Sequence, residues 1–296
     1  MTISGIVAYP VTPFTATGSI DHPALRRVLD RLVDSGADAI APLGSTGESA
    51  YLDFDEWVEV AAAMIGHVRG ALPTVVGVSD VTTRGTVRRA RAAEALGATA
   101  IMVLPVSYWK LTPLEIQRHF ESTANAVSIP VMLYNNPATA GVDVAPESLW
   151  ELVRDVPNIT MVKESTGDIA RMHRLRELSD ATLPYFNGSN PLALEAFQAG
   201  ASGWCTAAPC LIPRQISAFH RAVVDGETET ARDLFGRIRP LLDLIVARGL
   251  PTAVKGGLSL TGIDAGIPRL PLQPLTEEET RALSGLIERI EAPADS

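Results

Sequence analysis

The chain has 296 residues, 46% of them hydrophobic and 20% charged, with a formal net charge of -9 at neutral pH. That size suits a (β/α)8 barrel with a small extension, and the composition is that of a globular protein with a large core. The acidic balance, with no run of lysine or arginine, speaks against nucleic acid as a partner. No apolar run approaches the roughly 18 residues of a membrane span.

In chain order, Gly5-Ile6-Val7-Ala8-Tyr9 reads as a first strand, stopped by Pro10 and Pro13, which cannot continue a ladder. Asp21 is a predicted N-cap for a helix over 22–35, closed by Gly36. A second strand over 37–42 runs into Gly44-Ser45-Thr46-Gly47-Glu48. The alternation then repeats: helix 55–69, strand 74–78, helix 83–96, strand 99–104, helix 113–126, strand 129–134, a short helix 146–153 and an apolar strand from Asn158 to Lys163. Helix 168–178, strand 184–187, helix 191–199 and strand 200–206 complete it. The strands show little internal alternation, as expected of parallel strands buried on both faces. Eight such units argue for a closed barrel, an α/β fold over residues 1–212. From 213 to 296 the pattern is helical only, with helices expected over 214–225, 227–248, 252–260 and 276–292, read as a C-terminal helical extension.

Cys205 and Cys210 form neither a CxxC motif nor a zinc pattern and read as reduced thiols. The five histidines make no HExxH-type pair. No metal and no cofactor are therefore expected. The opening Met1-Thr2-Ile3-Ser4-Gly5 has no basic segment followed by an apolar one, so the expected location is cytoplasmic.

The charge inventory singles out one residue type. There are 22 arginines but only three lysines, Lys110, Lys163 and Lys255. Arginine stays protonated and cannot form a Schiff base, so each lysine is a candidate for chemistry arginine cannot do. Lys163 ends an apolar strand just before a polar loop, where barrel enzymes carry their functional groups, and an amine there is placed to attack a carbonyl. Lys110 falls in a loop beside Tyr108 and Trp109, and Lys255 in the helical tail, so both read as structural.

Two further motifs end strands on the same face. In Gly44-Ser45-Thr46-Gly47-Glu48, two hydroxyls between glycines can serve a small carboxylate; the motif lacks the lysine and the length of a nucleotide-binding loop. In Leu133-Tyr134-Asn135-Asn136-Pro137, the Tyr134 phenol ends the strand before that of Lys163 and can shuttle protons.

These motifs, with Pro10-Val11-Thr12-Pro13-Phe14, Val162-Lys163-Glu164-Ser165, Asn187-Gly188 and Gly266-Ile267-Pro268-Arg269, resemble the dihydrodipicolinate synthase and N-acetylneuraminate lyase family of class I Schiff-base aldolases along nearly the whole chain. The resemblance implies a (β/α)8 TIM barrel with a C-terminal helical domain and a homotetramer built as a dimer of dimers. It implies that Lys163 condenses with pyruvate or a related 2-oxo acid and that Tyr134 is the general acid/base. Ser45 and Thr46 would bind the carboxylate, with Ser45 and Tyr108, inserted across a dimer interface, completing the proton relay. Gly188 and Cys205 match positions whose backbone lines the pocket. Thr139 stands where members that make dihydrodipicolinate carry an arginine for the aldehyde's carboxylate, which disfavours synthase activity. Carbon-carbon lyase or aldolase chemistry is the leading expectation. Next comes dehydration or deamination of a 2-keto-3-deoxy sugar acid or a hydroxyproline-derived 2-oxo acid through the same imine.

Overall fold

The computed structural model describes residues 3–292; Met1-Thr2 and residues 293–296, which open the expected barrel segment and close the expected extension, lie outside the described residues. Eight parallel strands form one sheet in the order β2-β1-β8-β7-β6-β5-β4-β3. They are β1 (Gly5–Ala8), β2 (Ala39–Ile40), β3 (Val75–Gly77), β4 (Ala100–Val103), β5 (Val131–Asn135), β6 (Ile159–Glu164), β7 (Tyr185–Asn187) and β8 (Gly203–Thr206). Backbone bonds close the ring between the outermost strands: Ile40 donates to the Pro73 carbonyl at 3.0 Å and Gly77 to the Pro42 carbonyl at 2.9 Å. Apart from Thr160 on β6, the strands are buried on both faces, as the continuous apolar runs require.

Local chemistry starts and stops the helices between them. Asp21 caps α1 (His22–Asp34) by accepting from the Ala24 amide. Asp53 with Glu56 opens α2 (Phe54–Val68), and Thr112 with Glu115 opens α4 (Pro113–Ala124), each through a reciprocal capping box. Gly97 ends α3 (Thr83–Leu96) at φ 92°, a conformation a side chain would resist. Trp57, Phe120, Trp204 and Phe219 are fully or almost fully buried where helices meet strands. Each such side chain contributes on the order of 1.5–3 kcal/mol by leaving water.

After β8 the chain is helical: α9 (Pro213–Val224), α10 (Thr228–Arg248), α11 (Leu250–Leu260) and α12 (Glu277–Glu291). The buried face of α10, including Phe235, Ile238, Leu241 and Ile245, belongs to the same hydrophobic core as the barrel. Among the described residues no helix is long and apolar enough to cross a membrane.

The structure differs from the sequence reading at two points near the barrel mouth. The helix expected over 191–199 is a 3-10 turn, Asn190–Leu192, followed by α8 (Ala193–Gln198). Pro191 sits inside that 3-10 turn, where its fixed φ suits the first turn of a helix. After β5 a four-residue helix, α5 (Pro137–Ala140), carries Ala138 and Thr139. One turn is too short to show any periodicity.

Candidate active site

Lys163 is the penultimate residue of β6, in register with Tyr134 on β5 and Phe186 on β7. Residues paired across parallel strands point to the same face, so the amine and the phenol converge. Lys163 is 5% exposed, and its Nζ lies 3.9 Å from the Tyr134 ring centroid and 4.3 Å from that of Tyr9. The Tyr134 hydroxyl accepts from Asn136 Nδ2 at 2.8 Å.

The ends of β5 and β6 are held by a polar network beneath the amine. The Glu164 carboxylate is fully buried; it accepts from Asn135 Nδ2 at 3.1 Å, the Thr166 amide at 2.7 Å and Arg171 Nε at 3.2 Å. Asn135 Oδ1 in turn accepts from the Val144 amide at 3.0 Å. A buried carboxylate with several donors fixes its neighbours in place, because any lost bond leaves an unpaired charge in the core.

Opposite lies the hydroxyl turn. Gly47 donates to the Gly44 carbonyl at 3.0 Å, and Thr12 Oγ1 donates to the Gly47 carbonyl at 2.7 Å. Gly44 has to be glycine because an added Cβ would sit 2.7 Å from the Tyr9 ring. Thr46 is buried, and Ser45 is exposed at the mouth. Glu48 follows in a left-handed conformation at φ 56°, its side chain fully buried and its Oε1 2.6 Å from Lys255 Nζ. Burial holds the Lys255 ammonium below its ordinary pKa, with the Glu48 charge opposing that shift.

One cavity of about 360 Å³ brings together Ser45, Thr46, Tyr134, Lys163, Gly188 and Cys205, with Thr139 on its wall. Gly188 permits this closeness: a Cβ there would lie 1.8 Å from Ser165 Oγ and 2.6 Å from Lys163 Cε. Burial raises the Cys205 thiol above its usual pKa, against the opposing influence of Lys163. Burial pushes the neighbouring Cys210 up to about 12. Both cysteines are free and buried, and neither has the environment of an activated nucleophile. Tyr108 is not part of the cavity; it is 89% exposed on the loop between β4 and α4, edge-on to Trp109. Lys110 is exposed on the same loop.

Sequence reasoning passed over four participants. Tyr9 follows β1 and forms the second aromatic wall around the amine, its hydroxyl donating to Met102 Sδ at 3.1 Å; burial first, and the nearby Cys205 second, raise its pKa well above the ordinary value. The rule that functional groups follow strand ends would have found it. Glu164 could have been flagged as a carboxylate inside a strand. Ser165 Oγ, buried without a hydrogen-bond partner among the described residues, and the first turn of α11, where Leu250 and Pro251 line the cavity, carry no local signal.

An amine and a phenol side by side at the C-terminal mouth of a (β/α)8 barrel, facing a hydroxyl turn, define a class I, lysine Schiff-base lyase or aldolase. The comparisons with known proteins agree. The sequence profile of the Dihydrodipicolinate synthetase family matches residues 2–290. The 4-hydroxy-tetrahydrodipicolinate synthase of Alcanivorax borkumensis is 34% identical over 293 residues, covering 97% of this chain and 99% of that protein. A Pseudomonas aeruginosa crystal structure carrying a provisional dihydrodipicolinate synthetase name superposes with a TM-score of 0.97 at 55% identity, covering 98% of this chain and 100% of that one. YagE from E. coli K12, a prophage protein of the dihydrodipicolinic acid synthase family solved in complex with pyruvate, gives 0.93 at 26% identity over 98% and 99%. The chain belongs to the dihydrodipicolinate synthetase family of pyruvate-using, class I lyases and aldolases.

Proposed function

We propose that this chain cleaves or forms a carbon-carbon bond in a 2-oxo acid through an imine on Lys163. The observation that carries the reading is the placement of Lys163 Nζ 3.9 Å from the Tyr134 ring in a cavity that also holds Ser45 and Thr46. The amine adds to the keto carbon of pyruvate or a related acid and water leaves, giving a protonated imine that draws electrons from the bond beta to it. In the cleavage direction the C3–C4 bond breaks, the C4 hydroxyl gives up its proton to Tyr134, and an aldehyde departs. The remaining enamine takes a proton at C3, and water releases pyruvate and the free amine. Ser45 and Thr46 hold the substrate carboxylate, and the backbones of Gly188 and Cys205 shape the pocket floor.

Homo-oligomerisation as a dimer of dimers, with Tyr108 of a second copy completing the proton relay, belongs to the same reading, as does a cytoplasmic location. The exposure of Tyr108 supports it, since a side chain 89% exposed in one copy is free to enter another. Condensation to a dihydrodipicolinate-type product, the activity the relatives' names describe, is the less favoured branch. Its charged aldehyde finds no arginine at Thr139, and apart from Lys163 no lysine, arginine, aspartate or glutamate is among the described residues lining the cavity.

The test is borohydride reduction in the presence of pyruvate. A covalent adduct on Lys163, lost in Lys163→Ala, is the expected result, and an intact protein with no adduct would overturn the scheme. A screen of 2-oxo acids for pyruvate release then separates cleavage from loss of water or ammonia.

A further inference from the structure

Two of the three lysines in the chain are buried, and only one of them is in the cavity. Lys255, on α11, is 2% exposed; its Nζ lies 2.6 Å from Glu48 Oε1, donates to the Ile267 carbonyl at 3.1 Å and sits 4.1 Å from the Phe14 ring centroid. Glu48 uses its other oxygen as well, with Oε2 accepting from the Arg269 amide at 2.8 Å. Its backbone adopts φ 56°, a left-handed conformation that costs a side-chain-bearing residue on the order of 1–2 kcal/mol and that glycine would adopt freely. A strained residue whose carboxylate is engaged on both oxygens is present for that carboxylate.

The residue that carries this carboxylate follows the hydroxyl turn. Glu48 lies three residues after Ser45 and two after Thr46, and its amide donates to the Ser45 carbonyl at 3.2 Å. The helix at the other end of the ion pair also reaches the cavity, since Leu250 and Pro251 in its first turn line the wall and Lys255 follows about one turn later. One helix therefore touches the substrate space with its first turn and, through Lys255, pairs with the residue that follows the hydroxyl turn.

We propose that Glu48 and Lys255 are positioning residues that hold Ser45 and Thr46 in the geometry that receives the carboxylate of the 2-oxo acid, so that the C-terminal helical region completes the carboxylate site. The proposal rests on the assignment of Lys163 and of the Ser45-Thr46 turn made above. Replacing a buried ion pair as a whole by neutral side chains of similar size is often neutral for stability, whereas removing one partner strands a buried charge. That asymmetry separates positioning from mere support.

The experiment compares the wild type, Lys255→Met and the double variant Glu48→Gln with Lys255→Met. It measures thermal midpoint together with the ligand concentration that gives half-maximal borohydride labelling of Lys163, for pyruvate and for pyruvamide, which keeps the ketone and lacks the charge. The single variant is expected to lose stability and the double to recover most of it. In the double variant the pyruvate concentration is expected to stay about tenfold high, the order expected when a binding group is displaced by less than an ångström. The pyruvamide value is expected to change little. Failure of the wild type to label would remove the Schiff-base assignment and this proposal with it. Labelling of the wild type, with a recovered double variant whose pyruvate value is unchanged or shifts equally for pyruvamide, would overturn this proposal alone. If the double variant does not recover its stability, the pyruvate-to-pyruvamide ratio in Glu48→Gln alone decides in the same way.

Discussion

The Asn136 side chain donates a hydrogen bond of 2.8 Å to the Tyr134 hydroxyl. With an acceptor site of the oxygen occupied from the α5 side, the phenol is left to direct its own proton elsewhere, toward the cavity shared with Lys163. Tyr134→Phe removes the proton carrier and keeps the ring beside the amine. Its kcat is expected to fall by about 10²–10⁴-fold, the range of a lost general acid/base. Steady-state cleavage assays, paired with borohydride labelling to show that the amine still meets the ketone at high pyruvate, check this. A full-rate Tyr134→Phe would remove the phenol from the proton path.

Gly188 marks how little space separates the amine from its neighbours. The Cβ of Gly188→Ala would be 1.8 Å from Ser165 Oγ and 2.6 Å from Lys163 Cε, so one or both side chains must shift. The glycine φ is not positive, and alanine carries no backbone penalty of the left-handed kind. Lys163 labelling and turnover should drop by about 10²-fold, as for a catalytic group displaced by an ångström. Circular dichroism and the thermal midpoint should change far less. An unaltered labelling rate would show that the cavity yields more easily than the close packing of the wild type implies.

A buried and a half-buried histidine give the fold an acid-sensitive edge. His119 is 7% exposed and bonded to Thr83 Oγ1 at 3.0 Å; burial holds its pKa below 6.5, with Asp80 opposing. Burial likewise lowers His220, with Asp38 opposing. Below pH 6.5 the unfolded chain takes up protons that the native rings refuse, so this contribution is complete above 6.5 and is lost as pH falls through the depressed values. The carboxylates held low, such as Glu56 beside Arg269, act below their ordinary 4.5 and leave this window alone. The thermal midpoint is expected to fall between about pH 7.5 and pH 5.5, and His119→Asn is expected to flatten that fall. An equal slope in the variant would trace the acid sensitivity to other groups.

Tyr108 yields to complementation. A Tyr108→Ala chain keeps Lys163, and a Lys163→Ala chain keeps Tyr108; if the tyrosine enters the cavity of a second copy, hybrids of the two regain one complete site. Activity recovered on co-refolding, above the sum of the separate variants, is the expected result. No recovery in hybrids confirmed by native mass spectrometry would confine each site to one chain.

The sequence made the barrel legible because period and punctuation agree: apolar runs without alternation, glycines such as Gly97 at helix ends, and capping residues such as Asp21 repeat along the chain. In it Lys163 and Tyr134 could be read onto one face because strand ends of a parallel barrel share a mouth, and the two are in register across β5 and β6. What it could not give is contact between distant segments. Lys255 was read as a tail lysine, yet it is buried against Glu48, a pairing across 207 positions that no local pattern encodes. The wall supplied by Leu250 and Pro251 was invisible for the same reason, and α5 was missed because four residues carry no period.

Thr139 tests what the cavity accepts beyond the keto acid itself. It lies in α5, exposed, on the wall of a cavity that has no lysine, arginine, aspartate or glutamate besides Lys163 among its described lining residues. An aldehyde carrying its own carboxylate would desolvate that charge against neutral walls, a cost that affinity must absorb unless a cation is supplied. Thr139→Arg provides one with a geometry suited to a bidentate carboxylate contact. Condensation of pyruvate with aspartate semialdehyde is expected to be weak in the wild type and to rise by tenfold or more in Thr139→Arg, about what a charged hydrogen bond of 1.5–3 kcal/mol delivers. Borohydride labelling with pyruvate alone should be unchanged, since Thr139 is not among the residues proposed to hold the keto acid. Strong condensation by the wild type would instead show that the charged aldehyde is met by a group from outside this cavity wall, and a second copy of the chain would be the place to look for it.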